Sequence, residues 1–425
     1  MWTLFFAALA ALAQEAPIAF VGARVIPVAG AEIERGAVVV QGGKVVAVGP
    51  AATTSIPAGA ETRDVAGKVI FPGIVDTHSH IGGGSGADGS VPIQPDVRIL
   101  DSINARDPGF RRARAGGITT VNVMPGSGHL LSGQTLYLKL REARTIDDLL
   151  IRLDGGRIAG GMKMANGTNS QKEPPFPGTR GKSAALMREQ LVKAQAYREK
   201  LRRAGDDPEK KPDRDLDMEA LVEVLDGKRV VHQHTHRHDD ILTALRLRDE
   251  FGLKMVLHHV SEAWKIAPEI AAAKAPCSVI VIDAPGGKLE ARDLSLETGA
   301  VLERAGVLVG FHTDDGITDS RLFLRSPALA VRAGMSREKA LEAMTIAGAK
   351  MLELDSRIGT LEAGKDADLL VLSGDPLSVS TSILETWVEG KKVFDLAKPE
   401  DRLVAEGGYG AGVPSMHAGC EGGAP

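Results

Sequence analysis

Residues 71–80 read Phe-Pro-Gly-Ile-Val-Asp-Thr-His-Ser-His, and this stretch decides the fold. A Pro-Gly turn signal followed by a short apolar run predicts a buried β-strand that begins at Ile74. Side chains two residues apart on a strand point to the same face, so His78 and His80 share a face at the end of this strand. That spacing lets a single strand present two imidazoles to one metal ion.

Outward from this strand, strand and helix patterns alternate from residue 71 to about residue 357. Helical patterns such as Asp239–Glu250 and Leu296–Ala305 separate most of the strand candidates. About eight strands alternating with helices over ~250 residues predict an α/β fold, a (β/α)8 TIM-type barrel. The third candidate is the least regular, because it follows the second too closely for a crossover helix. The candidates are Ile74–His80, Ile118–Met124, Leu130–Leu140, Gly161–Ala165, Val230–His236, Lys254–His259, Ser278–Asp283 and Val307–Asp314.

Both ends of the chain are rich in β-strand patterns instead. Short runs with glycine punctuation, such as Gly36–Val40, Ala367–Leu372 and Thr386–Phe394, flank the barrel region. Each end alone has too few strands to bury a core, so we expect one small β-sandwich built from both ends rather than two separate flaps. Between Asn166 and Lys228 an insertion carries a charged helix, Ser183–Arg203, which we expect to be a solvated flap. The expected segments are a signal peptide at 1–13, sandwich parts at 14–70 and 358–398, the barrel at 71–357 and a C-terminal tail at 399–425.

Composition and the N-terminus limit the class of protein. The 43% hydrophobic content excludes a disordered chain, and a net charge of −4 leaves no basic excess for binding nucleic acid. Leu4 to Ala13 is an apolar run of 10 residues that ends in Ala-Leu-Ala. The run is too short for a membrane span and resembles a signal peptide, which predicts export to the periplasm or secretion. The alternative is a hydrophobic first strand. The rest of the sequence contains no second long apolar run, so we expect no membrane span.

Histidines gather at the ends of the predicted barrel strands. Nine of the 11 histidines fall into four groups, and the last group ends with Asp314 two residues beyond His312. Imidazoles from several strand ends with a nearby carboxylate suit zinc or a similar divalent metal. The alternative is a set of scattered, hydrogen-bonded core histidines. His258 and His259 are adjacent, so alternation predicts that only one of them reaches the site. The groups are His78/His80, His232/His234/His236/His238, His258/His259 and His312.

Two motifs carry a resemblance to a known family. Residues 71–80 resemble the PGxxDxHxH signature of the amidohydrolase superfamily, and Gly359–Leu369 resembles its C-terminal G-x-L/I-x-x-G-x-x-A-D-L element. The match extends from the N-terminal strands to about Asp395. Within the superfamily, the chain is most similar to the imidazolonepropionase-like and prolidase-like metal-dependent hydrolases.

The resemblance implies roles for individual residues. His78, His80, His234 and His259 match metal ligands. Asp314 matches the aspartate that touches metal and accepts the proton of the attacking water, and Asp315 is its rival for this position. The resemblance further implies two zinc ions bridged by Lys163, modified by carbon dioxide to a carbamate; the alternative is an ordinary amine that contacts substrate or a carboxylate. His236 is a candidate substrate contact, with a structural role as the alternative.

The implied activity is hydrolysis of a C–N bond in a small molecule, namely a cyclic amide, an N-acyl compound or a short peptide. The alternatives are a mononuclear deaminase, or a barrel that has lost catalysis and binds a partner. Neither Cys277 nor Cys420 has the neighbours of a nucleophile. The sequence does not identify the substrate, the metal or the oligomeric state, and it is compatible with a homo-oligomer.

Overall fold

The computed structural model describes residues 16–84, 86–280 and 289–407. Within these ranges no helix has the length and apolar character needed to cross a membrane. The predicted signal peptide and Cys420 lie outside the described residues. The strands are β1 (Ile18–Val25), β2 (Ile33–Gln41), β3 (Lys44–Pro50), β4 (Glu61–Asp64), β5 (Val69–Pro72), β6 (Ile74–Ser79), β7 (Ile118–Val123), β8 (Leu131–Gln134), β9 (Leu136–Lys139), β10 (Met162–Ala165), β11 (Val231–Thr235), β12 (Met255–His259), β13 (Cys277–Val279), β14 (Val309–Phe311), β15 (Leu369–Leu372), β16 (Ile383–Val388) and β17 (Lys391–Asp395). The α-helices are α1 (Pro108–Ala115), α2 (Arg180–Ala204), α3 (Leu216–Leu225), α4 (His238–Phe251), α5 (Ala267–Ala272), α6 (Thr298–Arg304), α7 (Arg325–Arg332), α8 (Arg337–Ala343), α9 (Ile346–Met351) and α10 (Pro399–Glu406).

The central strands form two sheets, with strand orders β6-β7-β9 and β14-β13-β12-β11-β10-β8. The pairs β6–β7 and β10 through β14 are parallel, as predicted. The predicted strand Leu130–Leu140 is instead two short strands, β8 and β9, which run antiparallel to β10 and β7. Gly133 adopts a left-handed φ of 115°, and the ladder with β10 shifts register there. The expectation of eight parallel strands is therefore wrong at the third strand. At the far edge of the larger sheet, the Asp314 amide donates to the His78 carbonyl at 2.9 Å, which brings the end of β14 beside β6.

The two ends of the chain share one hydrogen-bonded sheet of eight strands, in the order β17-β16-β15-β5-β1-β2-β3 with β4 paired to β1. The alternative of two separate flaps is wrong, because β15 pairs antiparallel with β5. The predicted strand Thr386–Phe394 is a hairpin of β16 and β17. Its turn residues Glu389 and Gly390 both have positive φ values, as tight hairpin turns require. In the core of this sheet, the ring of Trp387 meets that of Phe20 edge to face at 5.1 Å.

A buried cluster of charges joins the terminal sheet to β9. The Lys139 ammonium contacts the Asp368 carboxylate and lies 3.0 Å from that of Asp366, and all three side chains are almost fully buried. Asp366 also binds Lys44 at 2.6 Å and Arg357 at 3.1 Å. Although burial opposes it, these cations lower the pKa of Asp366 to about 2, whereas burial raises the pKa of Asp368. The stretch Asp366–Leu369, which includes the Ala-Asp-Leu element, thus supplies the two acids that bind Lys139 of β9 just before β15.

Two segments differ from their predicted character. The insertion helix α2 begins at Arg180, where the Thr179 hydroxyl caps the Lys182 amide, and its Met187, Leu191 and Tyr197 side chains are buried in the main core. It is therefore packed on the protein and not a solvated flap. The predicted tail begins with the helix α10, and residues 408–425 lie outside the described residues.

Candidate metal centre

The end of β6 places two imidazoles against a carboxylate. The Nε2 atoms of His78 and His80 lie 3.2 Å apart, and Asp314 Oδ1 lies 3.4 Å from His78 Nε2 and 3.0 Å from His80 Nε2. His80 Nδ1 lies 2.8 Å from the Met124 carbonyl, which sets the orientation of its ring. Asp314 follows β14 with a left-handed φ of 50°. A non-glycine residue held in this region is strained, a frequent property of functional positions. The three side chains offer ligand atoms within 4.8 Å of one another.

Lys163 lies in the middle of β10 with a fully buried side chain. Its Nζ atom is 3.2 Å from His78 Nε2 and 3.0 Å from Met124 Sδ. The lysine predicted from strand four therefore contacts His78 of β6. An unmodified lysine here places a positive charge beside a site suited to metal cations. The repulsion between these charges disfavours metal binding.

A second group consists of His234, His236 and His259, whose ligand atoms also lie within 4.8 Å of one another. The His234 ring is 4.4 Å from that of His259 and 4.7 Å from that of His236. His236 Nδ1 contacts Ser261 Oγ at 2.8 Å. Within the described residues, His259 Nε2 is buried without a hydrogen-bond partner. This buried nitrogen is suitable as a metal ligand.

Among the described residues, His259 but not His258 belongs to the groups that could hold a metal ion, in line with the expectation that one of the two reaches the site. Both rings lie near His78, with centroid distances of 5.1 and 4.8 Å. His258 pairs in register with His234 and so faces the same way. His259 ends the strand with a φ of 69°, and this left-handed turn of the backbone breaks the alternation.

Sequence reasoning left several neighbours without a role. His312 Nε2 lies 3.1 Å from His259 Nδ1, and its Nδ1 is 2.7 Å from Ser278 Oγ. The signal for His312 was present, because it precedes Asp314 by two residues at a strand end. A deeper layer joins His258 Nε2 to His232 Nδ1 at 2.9 Å and His232 Nε2 to the Tyr137 hydroxyl at 2.7 Å. Tyr137 lies far away in the sequence, with no local pattern to mark it.

The donors fit a divalent metal. Burial, together with the nearby Lys163 charge, lowers the pKa of His78 well below its usual value, and burial also lowers that of His259. Burial lowers the pKa of His312 to about 3. These imidazoles are therefore neutral at physiological pH, the form that binds metals. Burial opposes ionisation of Asp314, but the hydrogen bond from His80 and the charges of His80, His312 and Lys163 together outweigh it and lower the pKa of the carboxyl.

Asp314 and Asp315 face different surroundings. The Asp315 carboxylate accepts hydrogen bonds from the Ser320 amide at 3.0 Å and from the Ser320 hydroxyl at 2.5 Å. Asp76, the acid of the first motif, accepts from the Thr313 amide at 3.1 Å and from the Thr313 hydroxyl at 2.6 Å. It thereby ties the loop that carries Asp314 to β6. Burial raises the pKa of Asp76 to about 7.

Parallel strands that end in clustered imidazoles suit a metal-dependent enzyme, and comparison with known proteins identifies its family. A model of the amidohydrolase family matches residues 108–394, and the chain belongs to this family. It is 35% identical to an amidohydrolase of known structure from Thermotoga maritima, with a TM-score of 0.83 over 89% of this chain and all of that one. The chain is accordingly an enzyme that hydrolyses carbon–nitrogen bonds, and family membership implies a TIM-type barrel.

Curated relatives are more distant. The chain is 28% identical to amidohydrolase tasK of Hapsidospora irregularis over 82% of its own length, but it spans only 39% of tasK. It is 26% identical to an imidazolonepropionase of Rhizobium rhizogenes, over 83% of this chain and 90% of that protein. It is 25% identical to a 5-methylthioadenosine/S-adenosylhomocysteine deaminase of Symbiobacterium thermophilum, over 83% and 84% of the two chains. The predicted resemblance to the superfamily is confirmed.

Proposed function

We propose that the centre holds two divalent metal ions, most suitably zinc, bridged by Lys163 carboxylated to a carbamate. His78, His80 and Asp314 would hold one ion, and His234 and His259 the other. The observation that carries this proposal is the contact of Lys163 Nζ with His78 Nε2 at 3.2 Å inside a fully buried strand. A buried ammonium is costly, whereas a carbamate between cations is compensated.

When bound, the metal ions lower the pKa of a water molecule towards ~7 and polarise the scissile carbonyl. With metal bound, Asp314 would accept the proton of the attacking water and would later donate it to the leaving nitrogen. Its lowered pKa keeps it ionised at neutral pH, as a base must be. Asp76 and Thr313 hold the loop that carries this carboxylate. His236, beside His234 and anchored by Ser261, contacts the substrate.

The substrate is a small molecule with a cyclic amide, an N-acyl group or a short peptide bond. The name of the imidazolonepropionase relative favours a cyclic amide among these. The second candidate is a mononuclear deaminase, favoured by the name of the S. thermophilum relative. In a mononuclear enzyme Lys163 would have no metal to bridge, so its contact with His78 favours the hydrolase. A barrel without catalysis would be expected to have lost ligands, and every proposed position carries a donor.

The test of the reaction is a screen of the metal-loaded protein against cyclic amides, N-acyl amino acids, dipeptides and aminopurines. Asp314→Asn keeps the shape of the side chain and an oxygen for the metal but removes the base. We expect a loss of ~10²–10⁴-fold in kcat at matched metal content. The matched control is Asp315→Asn, which should retain most activity because its carboxylate binds Ser320. Full activity of Asp314→Asn would refute the assigned base, and ammonia released only from aminopurines would establish the deaminase.

The bridging lysine has a separate test. Lys163→Ala should reduce the metal content from about two ions per chain towards one or none, measured by elemental analysis after dialysis. Wild type supplied with ¹³C-bicarbonate should show a carbamate ¹³C resonance that Lys163→Ala lacks and the surface variant Lys182→Ala keeps. A ratio near one in wild type that Lys163→Ala leaves unchanged would favour the mononuclear alternative.

We propose the remaining organisation on the same basis. The two central sheets, with β8 and β9 together at the third strand position, close into one barrel, and the terminal sheet folds over itself as a small sandwich. The barrel spans 71–357, and the sandwich parts span 14–70 and 358–398. A signal peptide at 1–13 directs the enzyme to the periplasm or outside the cell. Oligomeric state is set by surfaces that no residue pattern identifies, and a homo-oligomer is compatible with this arrangement.

A further inference from the structure

A cavity of about 350 Å³ lies at the opposite ends of the strands from the metal centre. Gly160 and Val230 on its wall precede β10 and β11, so it opens at the amino ends of these strands. The metal-binding candidates His236, His259 and Asp314 lie at the carboxyl ends. Active sites of TIM-type barrels lie at the carboxyl ends of the strands, so the catalytic chemistry does not account for a cavity at the amino ends. The cavity therefore calls for a separate explanation.

The lining of this cavity is rich in positive charge. Four basic side chains face two acidic ones, and the acid Glu353 is already bound to Lys254 at 2.5 Å. The other acid, Asp154, forms no ion pair within the described ranges. Tyr137, Leu352 and Leu354 add apolar wall area. The four basic residues are Arg152, Arg157, Lys228 and Arg357.

Arg157 is the basic residue best placed to bind a ligand. Its Nη1 atom donates to the Lys228 carbonyl at 2.9 Å, and among the described residues it forms no ion pair with a carboxylate. A guanidinium has five N–H donors, so most of them remain for a ligand. Its backbone is held in place by a tight hairpin, in which the Leu153 amide donates to the Arg157 carbonyl at 2.8 Å. The hairpin also places Arg152 next to it, through a bridge between Arg152 and Ile158.

The remaining cations hold their positions by weaker or shared contacts. Arg152 lies 3.4 Å from Asp147, and both side chains are more than half exposed. Lys228 lies 3.5 Å from Asp226. Exposed pairs at such distances contribute little free energy, so a ligand can replace them at small cost. Arg357 is different, because Asp366 binds it at 3.1 Å.

We propose that this cavity binds a small phosphate-bearing anion, at a site separate from the metal centre. Guanidinium groups recognise phosphate through paired N–H donors, and a lysine adds a point charge. Arg157, Arg152 and Lys228 bind the phosphate oxygens. The apolar wall formed by Tyr137 and Leu354 accommodates a short organic group attached to the phosphate.

The experiment is a calorimetric titration of the metal-loaded full-length protein with inorganic phosphate at constant ionic strength. Phosphate can also bind the metal centre, so only binding that changes in cavity variants is counted. Arg157→Gln and Lys228→Gln should each weaken this binding ~10-fold or more, the usual effect of losing a charged hydrogen bond. Phosphate binding by Arg152→Gln, a substitution at an exposed position, is a second test that stays valid if Arg157→Gln does not fold.

The matched control is Arg214→Gln, whose guanidinium binds Glu219 away from the cavity. It should bind phosphate like wild type. Metal content and circular dichroism of each variant establish that the fold and the metal centre are intact. Equal phosphate binding in wild type and in both Arg157→Gln and Arg152→Gln would overturn the proposal. So would binding that disappears completely when a chelator removes the metal. The proposed function does not depend on this outcome.

Discussion

Lys139→Met should destabilise the terminal sheet by about 3 kcal/mol at pH 8. Methionine keeps the length of the side chain, so the loss is electrostatic and leaves no large cavity. Removing one partner of a buried ion pair typically costs ~3–5 kcal/mol. Asp366 keeps Lys44 and Arg357, so the loss falls on Asp368. Asp368 still accepts the Glu389 amide at 2.9 Å, which places the expected cost at the lower end of that range.

The loss of stability in Lys139→Met should depend on pH. The folded-state pKa of Asp368 is already raised by burial, so its contribution to stability is present at low pH and is lost as the pH rises through that pKa. Without Lys139 the pKa rises further. The destabilisation of Lys139→Met should therefore shrink as the pH falls from 8 to 5, since a growing fraction of the Asp368 carboxyl is then protonated.

The assay is urea unfolding followed by tryptophan fluorescence, to which Trp387 in β16 contributes. Lys44→Met is the matched control, because its side chain is 46% exposed and its pair with Asp366 should contribute less than ~1 kcal/mol. The double variant Lys139→Met/Asp368→Asn should recover most of the lost stability. A free energy of unfolding for Lys139→Met within ~0.5 kcal/mol of wild type at pH 8, or a loss independent of pH, would refute the reasoning.

Two further predictions concern the packing of α1 and the start of the mature chain. A Cβ atom at Gly116 would collide with the backbone oxygen of Ser320, so Gly116→Ala should lower the free energy of unfolding by ~1–3 kcal/mol. Gly89 has open space around it, so the control Gly89→Ala should leave the stability unchanged. Equal thermal midpoints for the two variants would contradict this prediction. The mature protein should begin near Gln14, which mass spectrometry of protein from its native host would establish; an intact Met1 in the cytosol would contradict export.

Much of the fold could be predicted from the periodicity of apolar residues and from the glycines and prolines that mark turns. The Pro-Gly signal located β6, and apolar runs located β10 to β12 to within a residue or two. The errors have local physical causes. A continuous run of strand-forming residues masked the break between β8 and β9, which depends on the left-handed backbone of Gly133. The Glu389–Gly390 turn was hidden in the same way, because a glutamate rarely signals a positive φ.

The candidate site was less predictable where it depends on tertiary contacts. Alternation placed His78 and His80 together, because both lie on one strand. It could not place His259, whose orientation follows from its own left-handed φ. The role of Asp76 in holding Thr313 depends on the contact between β6 and the end of β14, two segments more than 200 residues apart. Sequence patterns carry no signal for such a pair without the resemblance to a family.

The pairing of β5 with β15 has a consequence for biosynthesis. These strands are separated by about 300 residues, so β5 leaves the ribosome long before its partner exists. At ~5–20 residues per second the interval is roughly 15–60 s. Throughout that time the nascent chain presents an unpaired, apolar strand edge of the kind that promotes aggregation. Chaperone demand should therefore depend on the translation speed of the central region, and truncation before Leu369 should yield insoluble protein even when every proposed metal ligand is present.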